Sequence, residues 1–287
     1  MPTDPHPVAA LIEARRRDLT PAERRVADVV LSRPQAVAFG TVADLARQAS
    51  TSGATVMRLA SKLGLDGFSA LQASVQDELA HRLRPAAERI REAAPPDVVG
   101  RVLATELDNV QATLDGLDRG DFATAVTMLA DSRAVHVSAG EASRGAGLVL
   151  VDGLSMLRQQ VALVAGHDVG LGRALADITP GDVVVAIDFR RYERWVVRLV
   201  ELAARRGARI VALTDSRLSP LAEVAAPTFV VRAEAIGPFD SHVGTLALVN
   251  VLTAAVATRL RDTATDRLDR IESAWQETDA LVDGARP

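Results

Sequence analysis

Residues 41–64, TVADLARQASTSGATVMRLASKLG, read as helix, tight turn, helix. Val42, Leu45 and Ala46 recur at helical spacing and predict a helix from Val42 to Ala49. Ser50-Thr51-Ser52-Gly53 is a turn, and a second helix follows from Ala54 to Leu63, closed by Gly64. Val56, Leu59 and Leu63 form its core face. Thr55 and Arg58, three apart, are expected on the outer face. Such a pair has two uses. In a plain helical hairpin the outer residues only meet water. In a DNA reader the first helix braces the second across the major groove, with small Ala46 where they cross. Ser52 would then cap the second helix and help its free N–H groups hold a phosphate. Arg58 would offer two parallel hydrogen bonds to guanine, and Lys62 would meet phosphate one turn later. Spacing alone leaves both uses open.

Upstream, Thr20-Pro21-Ala22-Glu23 is a capping-box pattern, followed by a helix with Val26, Val29 and Val30 on one face that stops near Pro34. Downstream, Leu65-Asp66-Gly67-Phe68 is a turn into a helix from Ser69 to Leu83. Pro85 and Pro95-Pro96 punctuate the chain. A helical stretch carrying Val98, Val102, Leu103, Leu107, Val110, Leu114 and Leu117 follows. After Ala130 the period changes. Apolar runs at Ala134–Val137, Val161–Val164, Val183–Ile187, Ile210–Leu213 and Thr228–Val231 alternate with helical segments, the pattern of a parallel sheet covered on both faces. A long apolar helix from Ser241 to Leu260 and an amphipathic one with Leu268, Ile271, Trp275 and Leu281 end the chain. The expected organisation is an all-α helix-turn-helix domain over 1–84 and a helical connector over 85–120. An α/β doubly wound domain with five parallel strands spans 121–261, and a terminal helix 262–287.

Composition narrows the function classes. The chain has 287 residues, 48% hydrophobic and 24% charged, with aromatics at 3%, so its core is built from Ala, Val and Leu. Zero cysteines exclude a disulfide framework, a thiol nucleophile and a zinc-thiolate site. Met1–Pro7 has no apolar h-region, and Val243–Thr258 falls short of the ~20 apolar residues a bilayer needs. A cytoplasmic protein without membrane contact is expected. The net charge is −4, unevenly spread: 1–84 hold 11 Lys and Arg against 9 Asp and Glu, the remainder 22 against 28. A slightly basic head on an acidic body fits local DNA contact. No P-loop, Rossmann glycine fingerprint or metal-ligand cluster is present, so no metal or cofactor is expected.

Thr20–Leu83 resembles the N-terminal domain of the RpiR/MurR family of bacterial regulators, through LTPAERRVADVVLSRP, the VADLA helix, S-x-x-TV-x-R-x-x-x-KLG and GFSALQ, in that order. Ser50 stands where that family often has Gly. The resemblance continues over 121–261, where the family carries a five-stranded sugar isomerase (SIS) domain that binds phosphosugars, and Ser219-Pro220-Leu221-Ala222 matches its pattern. The phosphosugar loops depart from it. Of the family's G-x-G-x-S after the first strand, only Ser143 stands here, in Ala139-Gly140-Glu141-Ala142-Ser143. The serine-rich loop after the third strand is replaced by Asp188-Phe189-Arg190-Arg191-Tyr192, an arginine pair beside an aromatic. Arginine forks suit carboxylates as well as phosphates.

The resemblance implies a regulator that binds double-stranded operator DNA as a homodimer or tetramer and senses a small anionic metabolite, a sugar phosphate or carboxylate. Expected DNA contacts are Ser52, Thr55, Arg58 and Lys62. Expected effector contacts are Ser143, Asp188, Arg190, Arg191, Tyr192, Asp215 and His242, although Arg190 and Arg191 also have Asp188, Glu193 or a second subunit as alternative partners. The rival reading is a phosphosugar isomerase, whose acid–base candidates are Glu141, His136, His167 and His242. His136, inside a strand, is expected to be a satisfied core histidine, and no catalytic residue is assigned.

Overall fold

The computed structural model describes residues 8–83, 86–91, 96–164, 166, 168–217 and 219–281, so His167 lies outside the described residues. The chain divides into two compact units, Met1–Arg89 and Ile90–Pro287.

The first unit is helical: α1 (Val8–Arg15), α2 (Pro21–Ser32), α3 (Pro34–Phe39), α4 (Val42–Gln48), α5 (Gly53–Lys62), α6 (Gly67–Leu83) and α7 (Ala86–Arg89). Thr20 and Glu23 form the expected capping box on α2, and Thr41 with Asp44 forms a second one on α4. Pro34, expected only to stop α2, also opens α3 at the first helical position, where its missing N–H removes nothing. Ile12, Val26, Val30, Val37, Leu45, Val56, Leu59, Leu63 and Leu71 are buried together as the core of this small unit. Gln72 donates to the Val37 and Gly40 carbonyls, 2.9 Å each, satisfying the carboxyl end of α3.

The turn between α4 and α5 depends on one backbone position. Ser50 has φ +48°, a left-handed conformation that a side chain disfavours. Arg25 braces it through bonds to the Ala49 and Ser50 carbonyls, 3.2 and 3.4 Å. Ser50→Gly is therefore expected to stabilise the protein by about 0.5–1 kcal/mol, as a shift in the urea midpoint without a change of slope.

The second unit begins with α8 (Val98–Asp115) and α9 (Arg119–Asp131), so the segment expected to be a connector contributes a helix packed into this unit, with Asn109 and Thr113 buried. Then come β1 (Val135–Ala139), α10 (Arg144–Leu157), β2 (Val161–Leu163), α11 (Asp168–Asp177), β3 (Val183–Ile187), α12 (Arg194–Arg205), β4 (Arg209–Thr214), β5 (Thr228–Val230), α13 (Val243–Arg259) and α14 (Arg261–Thr278). The five strands are parallel in the order β2-β1-β3-β4-β5. Strand side chains alternate between two cores. Val183, Val185 and Ile187 pack under α9, α10 and α13; Val184 and Ala186 pack under α11 and α12. Both faces are covered at the centre of the sheet, which is why β3 is apolar and buried at every position. Among the described residues no single helix is long and apolar enough to cross a membrane; α13 buries Leu248, Val249, Leu252 and Val256 in the core instead.

The order of strands reverses between β1 and β3. Such a switch point is where this architecture places its ligand crevice, here at the loops 140–143 and 188–193, which touch where the Glu141 N–H donates to Glu193 Oε1.

Candidate functional site

The outer face of α5 is the first candidate surface. Ala54, Met57, Arg58 and Ser61 are its exposed residues, spaced as one helical stripe. Arg58 is among them, as expected, but Thr55 is not. Thr55 is only 3% exposed. It lies four residues before Leu59 and so shares the core stripe rather than the outer one. Its hydroxyl accepts from Arg58 Nη2 at 2.9 Å and meets Ser52 Oγ at 3.1 Å, so it orients the arginine instead of facing a groove itself. Ser52 occupies the N-cap position and is exposed, yet its side chain makes no capping bond. Lys62, expected at phosphate, has a partner within the protein: its ammonium donates to Glu23 Oε2 at 2.8 Å and to the Asp18 carbonyl at 2.9 Å. Glu23 is buried, which raises a carboxyl pKa, but the bonds from Lys62 and Thr20 outweigh that and hold it below 4.5.

The second candidate is the crevice at the carboxyl ends of β1 and β3. Asp188 is buried and accepts from the Phe189 and Glu193 backbone N–H groups, 3.0 and 2.7 Å. Burial nevertheless pushes its carboxyl up to about 6, helped by the neighbouring Glu193 and Asp215 carboxylates. Gly140 is required opposite it, because a Cβ there would lie 2.3 Å from Asp188 Oδ1. Arg191 takes φ +65°, a strained turn. Tyr192 then donates to Asp215 Oδ1 at 2.7 Å. Ser143 is buried at the start of α10, its hydroxyl without a hydrogen-bond partner. The His242 ring packs edge-on against Phe189 with centroids 5.3 Å apart; its Nδ1 has no partner and burial lowers its pKa.

Arg190 faces three carboxylates: Asp240 at 3.6 Å, Asp215 at 3.8 Å and Glu234 at 3.9 Å. Neither Asp240 nor Glu234 was an expected site residue, and Asp188 and Glu193, its expected alternative partners, form no ion pair with it among the described residues. Of the acid–base candidates, Glu141 is exposed. His136 is less satisfied than expected: its Nε2 lies 3.6 Å from Asp182, with no hydrogen bond. Asp182 precedes β3, so that histidine belongs to the amino end of the sheet, away from the crevice. Among the described residues no group of His, Asp and Glu is arranged to hold a metal.

The sequence profile of the rpiR-family helix-turn-helix domain matches residues 7–82, and that of the SIS domain matches 128–255. The chain belongs to the RpiR family. It is a transcriptional regulator with a SIS domain. The HTH-type transcriptional regulator YbbH of Bacillus subtilis is 28% identical over 282 residues, covering 93% of this chain and 96% of YbbH. The sugar isomerase domain of an RpiR transcription factor from Sphaerobacter thermophilus is 28% identical with a TM-score of 0.59, covering 61% of this chain and 97% of that one. NanR of Vibrio vulnificus, solved in complex with ManNAc-6P, has a TM-score of 0.57 at 22% identity, over 96% of this chain and 99% of its own. At that identity the likeness establishes the fold of this RpiR protein.

Proposed function

We propose that this regulator reads operator DNA with the exposed face of α5, as a homodimer or tetramer on a palindromic site. Its SIS domain senses a small hydroxylated anion, a sugar phosphate or sugar acid, in the β1/β3 crevice. Half-sites would lie one helical turn, about 34–36 Å, or a multiple of it apart. The observation that carries the sensing half is a set of buried polar atoms that make no hydrogen bond at this end of the sheet: Ser143 Oγ, Arg190 Nε and His242 Nδ1. Buried polar groups are normally satisfied, so such a cluster fits a ligand that supplies the missing partners. Arg190 would take the anionic group. Asp215 would accept from a ligand hydroxyl. The phosphosugar held by NanR supports this class.

An isomerase would need an acid and a base within reach of a sugar carbon. Of the described acid–base candidates His136 belongs to the other end of the sheet and Glu141 is exposed, which leaves His242 alone in the crevice where two groups are needed, and this favours sensing over turnover. The test is gel retardation of DNA from upstream of the chain's own gene, at several salt concentrations, with and without a panel of hexose 6-phosphates, N-acetylhexosamine 6-phosphates and sugar acids. Salt-dependent retardation that one of these anions changes is expected. Absence of salt-dependent binding would refute the DNA-reading half. Undiminished anion affinity in Arg190→Ala/Arg191→Ala would refute the crevice.

A further inference from the structure

Glu234 and Asp240, two of the three carboxylates around Arg190, lie in one irregular segment, residues 231–242. None of the three carboxylates is at hydrogen-bond distance from the guanidinium. The pairing is loose at the arginine and tight elsewhere.

The tight end is α8. Asn109 is fully buried, and its amide pairs with the backbone of Glu234 on both sides: Nδ2 donates to the carbonyl at 2.8 Å, and Oδ1 accepts from the N–H at 3.2 Å. A side chain here does for the segment what a neighbouring strand does in a ladder. One turn along, Thr113 Oγ1 accepts from the Arg232 N–H at 3.0 Å. One turn back, Glu106 Oε2 accepts from Ser241 Oγ at 2.6 Å and from Asn109 Nδ2 at 3.0 Å. Behind these bonds there is no slack. A Cβ on Gly244, at the start of α13, would lie 2.8 Å from both the Arg232 carbonyl and Thr113 Oγ1. The segment cannot shift without either breaking its bonds to α8 or moving that helix.

We propose that the effector anion replaces Glu234 and Asp240 as the counter-ion of Arg190, and that the segment 231–242, so released, passes the event to α8 through Asn109, Thr113 and Glu106. The inference rests on the sensing role proposed above and adds its transmission. An anion bound at Arg190 repels the two loop carboxylates and removes their attraction to the guanidinium. Its affinity therefore differs between the clasped and released segment, the condition for a ligand to shift an equilibrium. The clasp is side chain to backbone, so it reports the position of the segment whatever the anion's identity. α8 is the first long helix after the head in chain order.

The test needs no ligand. Glu234→Gln/Asp240→Asn removes the loop charges, leaves Arg190 in place and imitates the displaced state in the full-length protein. Hydrogen exchange is then expected to quicken about tenfold or more at the amides of both 231–242 and 98–115. Operator affinity should change about five- to a hundredfold. In an Asn109→Ala background, or Asn109→Ser if alanine prevents folding, the charge substitutions should still quicken 231–242 and should add nothing at 98–115. Wild-type exchange over 98–115 in the charge variant, or an undiminished additional effect in the Asn109 background, would overturn the proposal. The sensing role fails by a different readout: absence of a thermal shift of the wild-type protein with hexose 6-phosphates or sugar acids.

Discussion

Arg58→Ala is expected to weaken operator binding by about 1–3 kcal/mol, roughly five- to 150-fold, while Lys62→Met leaves the salt slope of binding unchanged. Arg58 is the only cation on the exposed stripe of α5, and Thr55, buried beneath it, fixes one end of its fork. An arginine held in this way loses less freedom on meeting a guanine edge than a loose one. Its removal should relax sequence preference at one position of each half-site, which fluorescence anisotropy with substituted operators would show. Lys62 behaves differently because its charge is already committed to Glu23, whose side chain is 3% exposed against 39% for the lysine. Replacing it strands a buried carboxylate, and the head should lose about 1–2 kcal/mol of stability after allowance for the lysine's exposure. Because Glu23 is held below 4.5, that contribution is present above this pH and is lost as the pH falls through the folded value. A fall of about one in the slope of log affinity against log salt for Lys62→Met would show instead that the lysine meets phosphate.

The sheet was legible and the site only partly so, for separable physical reasons. β3 stands out most clearly, because a strand buried on both faces is apolar at every position, as Val183–Ile187 is; the other four read as short apolar runs between turns although polar residues or exposure interrupt them. The helix-turn-helix stands out because its core residues recur at helical spacing. Spacing between Thr55 and Arg58 shows only that the two share a face; their distances from Leu59 decide where each lies, and four residues puts Thr55 with the core while one residue leaves Arg58 outside. Proline is ambiguous in the same way, since Pro34 both ends α2 and begins α3. In the crevice, Asp188, Arg190, Tyr192 and Asp215 announce themselves by following strands. Glu234 and Asp240 do not, because an acidic residue in a loop is the commonest kind of surface residue. Asn109 is further still from recognition: its partner lies 125 residues away, and nothing local marks a helix asparagine as buried.

Effector affinity is expected to rise as the pH falls from 7.5 to 5.5, and Asp188→Asn to remove most of that dependence. The carboxyl of Asp188 titrates at about 6 instead of 3.8 because burial penalises its charge and Glu193 and Asp215 add repulsion. Above that value it is an anion beside the site of another anion. Below it the group is neutral and able to donate. Binding an anion nearby raises the carboxyl further, so binding takes up a proton, and affinity changes by up to about tenfold for each unit of that additional shift. A phosphate monoester would mask the effect, since its own second ionisation lies near 6 and its loss weakens the pull of Arg190. A sugar sulfate stays singly charged across the window and gives the clean measurement, by calorimetry in two buffers of different ionisation heat. His242 acts in the same direction, because its pKa is lowered by burial and any charge it gains comes only at the acid end. Affinity that is flat with pH in the wild type, or that keeps its slope in Asp188→Asn, would place the anion away from this carboxyl. The crevice holds the Asp188 carboxyl at about 6, so its charge at neutral pH is disfavoured by burial and by the neighbouring carboxylates. A polyol that donates to Asp188 would relieve that charge as a carboxylate, and an acid-side gain in affinity for anions alone separates the two modes of binding.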